Sequence, residues 1–276
     1  MAIYTEEEAR KILEKALSFS KADACEINLG GSNSGNIRYA RNTVSTAGHQ
    51  SSQSLVVQSS FGKKVGTATI DEFDDASLEK VVRRAEELAN LSPENPEFMP
   101  PLGPQKYDES ITYVEATANT TPEFRAEVAS KSIVPAAAKD VTAAGFLNDG
   151  ARFSAMINSN GLFAYNKSTN MDFTVTMRTN DGTGSGWVTR DYNDITKFDA
   201  AEASQVAIDK AVMSREAKAI EPGKYTVILE PAAASDLLRN MIFSFNARSA
   251  DEGRSFMSAK DGGNKLGQKI VDERVN

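Results

Sequence analysis

Five of the nine prolines in this chain fall within residues 92–106, SPENPEFMPPLGPQK. Proline fixes φ and carries no N–H, so neither a helix interior nor a central strand can run through such a stretch. The chain is thereby divided, and each side must be read for its own elements. Before the divide, Thr5 and Glu8 stand at capping-box spacing, and Ala9, Ile12, Leu13, Ala16 and Leu17 follow at helical intervals. Short alternating runs at 24–29, 36–40, 54–60 and 64–70, split by Gly, Ser and Asn, predict an antiparallel meander of four strands. A second helix is expected over 75–91, with Leu78, Val81, Val82, Ala85, Leu88 and Ala89 on one face.

The order repeats after the divide. Thr121 and Pro122 supply an N-cap and first-turn pair. Strands are then predicted at 141–148, 152–158, 162–168, 172–179 and 187–192, and Asp199 with Glu202 caps a helix bearing Ala203, Val206, Ala207 and Ala211. No residue-level identity links the halves, so the duplication is one of architecture. The expected class is α+β: two helix–antiparallel meander–helix units, at 1–95 and 107–216, then a third segment at 222–276 that opens a β-rich C-terminal domain. A second linker, 217–223, precedes it.

The 276 residues include 40% hydrophobic and 25% charged side chains, as in a globular protein with a substantial core. A net charge of −7 argues against a surface that tracks phosphates, so no direct nucleic-acid contact is expected. MAIYTEEEARK lacks an apolar signal core, and no run of about 18 apolar residues occurs, so the sequence predicts neither secretion nor a membrane span. The single cysteine, Cys25, fits a reducing cytoplasm, and its apolar neighbours predict a buried, inert thiol.

The lone His49 reads as a solvated imidazole in a Ser/Gln/Gly-rich loop, because no partner or nucleophile is evident for it. The DGTGSG run at 181–186 lacks the Lys and following helix of a phosphate loop and is expected to be a hairpin connection. Asn160-Gly161 predicts a type I′ turn. No G-x-S-x-G elbow marks a nucleophile.

The segment from Pro222 to Arg254 reads as a buried strand, Tyr225 to Leu229, leading through a Pro into an amphipathic helix. Together with GKKVGTA, INSNGL and DGTGSG in the same order, it resembles the TldD/PmbA family, whose members are also described as modulators of DNA gyrase. The peptidase branch carries H-E-x-x-x-H on that helix. Here Arg239, Asn240 and Ser244 stand in its place. A guanidinium repels a cation, a carboxamide has no basic lone pair for a metal-bound water, and one histidine cannot make a His pair. Positions i and i+5 are also about 140° apart on an ideal helix, so the peptidase motif needs a distorted helix end, a demand expected to be absent here.

The resemblance implies a PmbA/TldE-like, non-catalytic subunit of a zinc metallopeptidase acting on unfolded peptides in maturation or proteolysis. It implies no metal or catalytic residue in this chain, zinc in a partner subunit, and a homo- or heterodimer with a TldD-type peptidase. Phe243, Arg248 and Arg254 are candidates for cleft or partner contact, beside Asp251 and Glu252. It further implies β-rich sequence continuing past 268–271. The alternatives are an independently active hydrolase with an unrecognised site and a stand-alone peptide-binding module.

Overall fold

A computed structural model describes residues 3–270. Two compact units emerge, 1–218 and 219–276.

In the first unit, α1 (Glu6–Ser18) begins at the expected capping box, with Thr5 accepting from the Glu8 amide while the Glu8 carboxylate accepts from the Thr5 amide. Three strands follow rather than four: β1 (Ala24–Ala40), β2 (Thr43–Phe61) and β3 (Lys64–Ile70). The runs predicted at 24–29 and 36–40 are one strand. Then come α2 (Asp75–Leu91), capped by Asp74, the single turn α3 (Glu115–Ala118), and α4 (Pro122–Ala138), capped by Thr121. The second half merges likewise into β4 (Val141–Asn158), β5 (Phe163–Thr179) and β6 (Ser185–Tyr192), closed by α5 (Ala200–Met213) with Asp199 at its cap.

The six strands make one antiparallel sheet in the order β3-β2-β1-β4-β5-β6. Each half thus contributes three strands, and the halves join at the β1–β4 pair, where Gly31 faces Phe153 and Gly35 faces Asp149. All four long helices pack on one face, because the odd-numbered residues of β1, β4 and β5 are the buried ones. α1 and α2 cover Cys25, Ile27, Leu29, Leu55 and Phe153 toward one end of the strands. α4 and α5 cover Ile37, Tyr39, Leu147, Phe173 and Met177 toward the other.

Glycine records the tight contacts between the two. A Cβ at Gly31 would sit 2.5 Å from the Phe153 ring, and one at Gly35 would sit 2.0 Å from the Arg125 guanidinium carbon. These glycines permit close approach and do not break the strand.

Two turns differ from expectation. Gly161 has φ +85°, but Asn160 does not have a positive φ, and Gly161 donates to the Asn158 carbonyl over 3.2 Å. The turn therefore lies over Ser159-Asn160 with a left-handed Gly after it, which is not a type I′ pair. Both central residues of the β1–β2 hairpin, Arg41 and Asn42, are left-handed instead, at φ 52° and 57°. Asn42 holds this turn to β4 by donating to the Val141 carbonyl and accepting from the Ala143 amide.

Residues 219–270 carry α6 (Pro231–Ile242), a 3-10 turn (Phe243–Phe245) and α7 (Ala247–Asp251). The strand expected at Tyr225 to Leu229 is absent: these residues have no regular structure, and Ile228 is 95% exposed. A strand needs a neighbouring strand for its backbone groups, and none lies beside it among the described residues. Residues 271–276, the end of the expected third domain, fall outside the described residues.

Candidate functional site

The peptidase-motif register lies where α6 ends. Arg239 and Asn240 occupy its last turn and are exposed, and Asn240 donates back to the Asp236 carbonyl over 3.0 Å. The helix passes into a 3-10 turn at Phe243, so Ser244 comes after a change of pitch. The helix end is therefore distorted, although Arg239 to Ser244 carry no ligand pair that demands it. Ser255 donates its hydroxyl to the Ser244 carbonyl over 2.5 Å and closes the turn. Phe243 is 79% exposed. Phe245 rests against Phe256 with ring centroids 5.8 Å apart.

Of the charged cluster read from sequence, the structure gathers three members. Glu252 accepts from Arg248 over 2.9 Å and from the Arg254 Nε over 2.9 Å, and these bonds, Arg248 first, hold its carboxyl below the usual range. Asp251 instead accepts from Asn264. Arg239 belongs to the preceding helix.

A zinc ion does not fit the motif positions. Arg239 brings positive charge, Asn240 a weak neutral acceptor and Ser244 a neutral hydroxyl, where catalytic zinc is held by imidazole, carboxylate or thiolate. Among the described residues no group of three or more His, Cys, Asp or Glu is placed to hold a metal.

In the first unit, His49 is on strand β2 rather than in a loop, and it is exposed. With Asn36, Ala47, Gly48, Thr121 and Arg125 it lines an open groove of roughly 500 Å³ beside the start of α4. Arg125 is fixed there and not available to a ligand. Its Nε and Nη2 reach the two oxygens of Asp149 at 2.6 and 2.7 Å, and the side chains are 8% and 1% exposed. Sequence reading missed this pair, because nothing local marks an Arg on a helix and an Asp in a strand as partners.

Cys25 is buried, and burial pushes its thiol up, so it is a poor nucleophile. The DGTGSG run does form the β5–β6 connection. Its donors turn inward, with the Thr179 hydroxyl and the Thr183 amide and hydroxyl all bonding Asp181, whose carboxyl is lowered to about 2 by these bonds, Thr179 first. The loop amides are already taken, Gly182 and Gly184 donating to Thr179, Thr183 to Asp181 and Ser185 to Ser214, so the loop does not cradle an outside anion.

Three domain models of one metallopeptidase family match in order: PmbA/TldA domain 1 over 25–89, the central domain over 100–215 and the C-terminal domain over 222–276. The chain belongs to the PmbA/TldD family. Solved structures share its fold. TldE from Thermococcus kodakarensis is 18% identical with a TM-score of 0.67, over 74% of this chain and 47% of its own. A proposed modulator of DNA gyrase from Bacteroides thetaiotaomicron is 19% identical with a TM-score of 0.81, over 98% of this chain and 63% of its own. Another so described, from Thermotoga maritima, is 17% identical with a TM-score of 0.82, over 91% and 59%. This chain thus spans less than two thirds of each relative's length. No curated protein matches it. No helix among the described residues is long and apolar enough to cross a membrane.

Proposed function

We propose that this PmbA/TldD-family chain is a non-catalytic, TldE-like subunit that pairs with a metallopeptidase of the same family in the cytoplasm. The partner supplies zinc and general base, and the pair acts on unfolded peptides. The observation that carries this reading is the helix end itself. α6 keeps the break in pitch that an i, i+5 ligand pair requires, while Arg239, Asn240 and Ser244 remove every group that would use it. Exposed Phe243, with Arg248 and Arg254 beyond it, is then available to wall a cleft.

The test is reconstitution with a family member that retains H-E-x-x-x-H. The expected result is zinc in the partner only, peptide cleavage by the pair, and a change of no more than a few fold when Arg239→Ala or Asn240→Ala is introduced here. About one zinc per chain in this protein alone, or cleavage by it alone that either substitution abolishes, would show an independent hydrolase instead.

A further inference from the structure

The proline-rich segment that divides the sequence does more than connect. Asn95 closes a turn by accepting from the Glu97 and Phe98 amides, and its own amide donates to the Lys63 carbonyl over 2.9 Å. Beyond that turn Asn158 and Asn160, at the end of β4, donate to the carbonyls of Leu102 and Pro101 over 2.9 and 2.7 Å. Pro100 and Pro101 stiffen the span between these ties. The stretch from Phe98 to Leu102 is thereby held as a strap against the face of the sheet opposite the helices. With Glu26 of β1 and Gln58 of β2 it lines an open groove of roughly 510 Å³, a size that suits a small ligand or a side chain.

The two sides of this groove differ in chemistry. The strap is apolar throughout, and its Met99 and Leu102 are largely exposed. The sheet side carries one charge, the half-buried Glu26. Its partners in register, Gln58 on β2 and Asn158 on β4, are neutral, as are Ala24 and Asn28 on either side of it along β1. Asn28 donates to one carboxylate oxygen over 3.1 Å, and among the described residues no cation pairs with the group. A carboxylate without a counter-charge, set against open apolar surface, is complementary to a cation carried on an apolar stem.

We infer that the groove between Glu26 and the strap binds the side chain of an arginine in an extended peptide. A guanidinium is planar with several N–H donors, so it serves the Glu26 carboxylate and the side-chain carbonyl of the adjacent Gln58 together. Its face stacks on an aromatic ring, which Phe98 supplies, and its methylene stem lies along Met99 and the prolines. A lysine brings a compact, strongly hydrated charge and loses the planar contacts. The net charge of −7 favours approach of a basic peptide. The choice of a peptide as ligand rests on the role proposed above. The test reads binding to this chain alone, without partner, zinc or cleavage, so either reading can fail while the other stands.

The experiment is titration calorimetry of the full chain with a short blocked peptide, arginine flanked by alanines, and with its lysine, alanine and glutamate counterparts. The arginine peptide is expected to bind most tightly, and less so as salt is added. Glu26→Gln keeps the shape and an oxygen for Asn28 to bond, so the melting temperature should not change, while affinity for the arginine peptide falls at least about tenfold, the loss expected from one charge-assisted hydrogen bond. Gln58→Ala should weaken it by a smaller factor. No binding by wild type at millimolar peptide would overturn the inference. So would an alanine or lysine peptide that binds equally well, or arginine-peptide binding indifferent to Glu26→Gln. Free arginine binding as tightly as the peptide would remove the peptide as the source of the side chain.

Discussion

Arg125 is the residue at which the two halves meet. It enters from α4, lies over Gly35 of β1, and spends its charge on Asp149 of β4. Both partners are almost wholly buried, so removing either leaves an uncompensated charge in a medium that solvates it poorly. Arg125→Ala or Asp149→Ala is expected to cost about 3–5 kcal/mol in urea denaturation, whereas replacing both together with apolar residues of similar volume should cost much less. Additive losses in that double-mutant cycle would show that the pair contributes no coupling and that packing alone holds the junction. Tyr39 makes a second buried polar link, donating to Ser132, whose hydroxyl contacts that of Ser204, and burial pushes the phenol up to about 12.

Among the elements, helices were legible because their signals are local. The capping box at Thr5, the Thr121-Pro122 start and the Asp199 cap each stand within one turn of what they satisfy. Strand continuity was not. Gly30 to Gly35 reads as a break, yet Gly31 and Gly35 are where a ring and a guanidinium approach from other elements, a demand invisible before the partners are known. The same holds across the sheet: Gly66 of β3 lies against α2 and Gly186 of β6 against α5, each with a Cβ-forbidding backbone atom 2.1 Å away. The α6 helix was legible, its 3-10 ending was not, and the strand before it failed because an apolar run implies a sheet only where a neighbour exists. The β5–β6 pair yields its own prediction. Asp172 and Asp191 face each other in register, and Asp191 is raised by sharing a hydrogen bond with Asp172, then by burial and by repulsion. A carboxyl raised on folding binds its proton more tightly in the folded state, so ionisation opposes folding as pH rises through that value. Asp191→Asn should therefore stabilise slightly at neutral pH, by no more than a few tenths of a kcal/mol because solvent screens this exposed carboxyl, with the gain vanishing as the medium is acidified below the carboxylate range. A gain that persists in acid would assign the effect to something other than charge.

On the scale of the whole molecule, apolar burial is divided unequally between the two units. The first unit fills two clusters under its sheet, whereas within 219–270 only Ala250 is fully buried. α6 has no buried residue, and Leu237, Leu238, Ile242 and Phe243 are all more than half exposed. A helix of this length gains little from propensity alone and depends on covering an apolar face. Amide exchange at neutral pH should therefore be fast through α6 and slower by orders of magnitude in the central strands β1 and β4, since local opening costs only what the opened contacts contribute. Slow exchange across α6 in the isolated chain would contradict this and would mean that its apolar face is already covered, by self-association through the segment from Tyr225 to Ala247. Adding a partner that retains H-E-x-x-x-H separates the remaining cases. If α6 forms a wall of a shared cleft, protection should rise at Leu237 to Phe243 and leave β1 and β4 unchanged. Protection that rises nowhere on α6 would remove that helix from the cleft, whatever the fate of zinc in the partner.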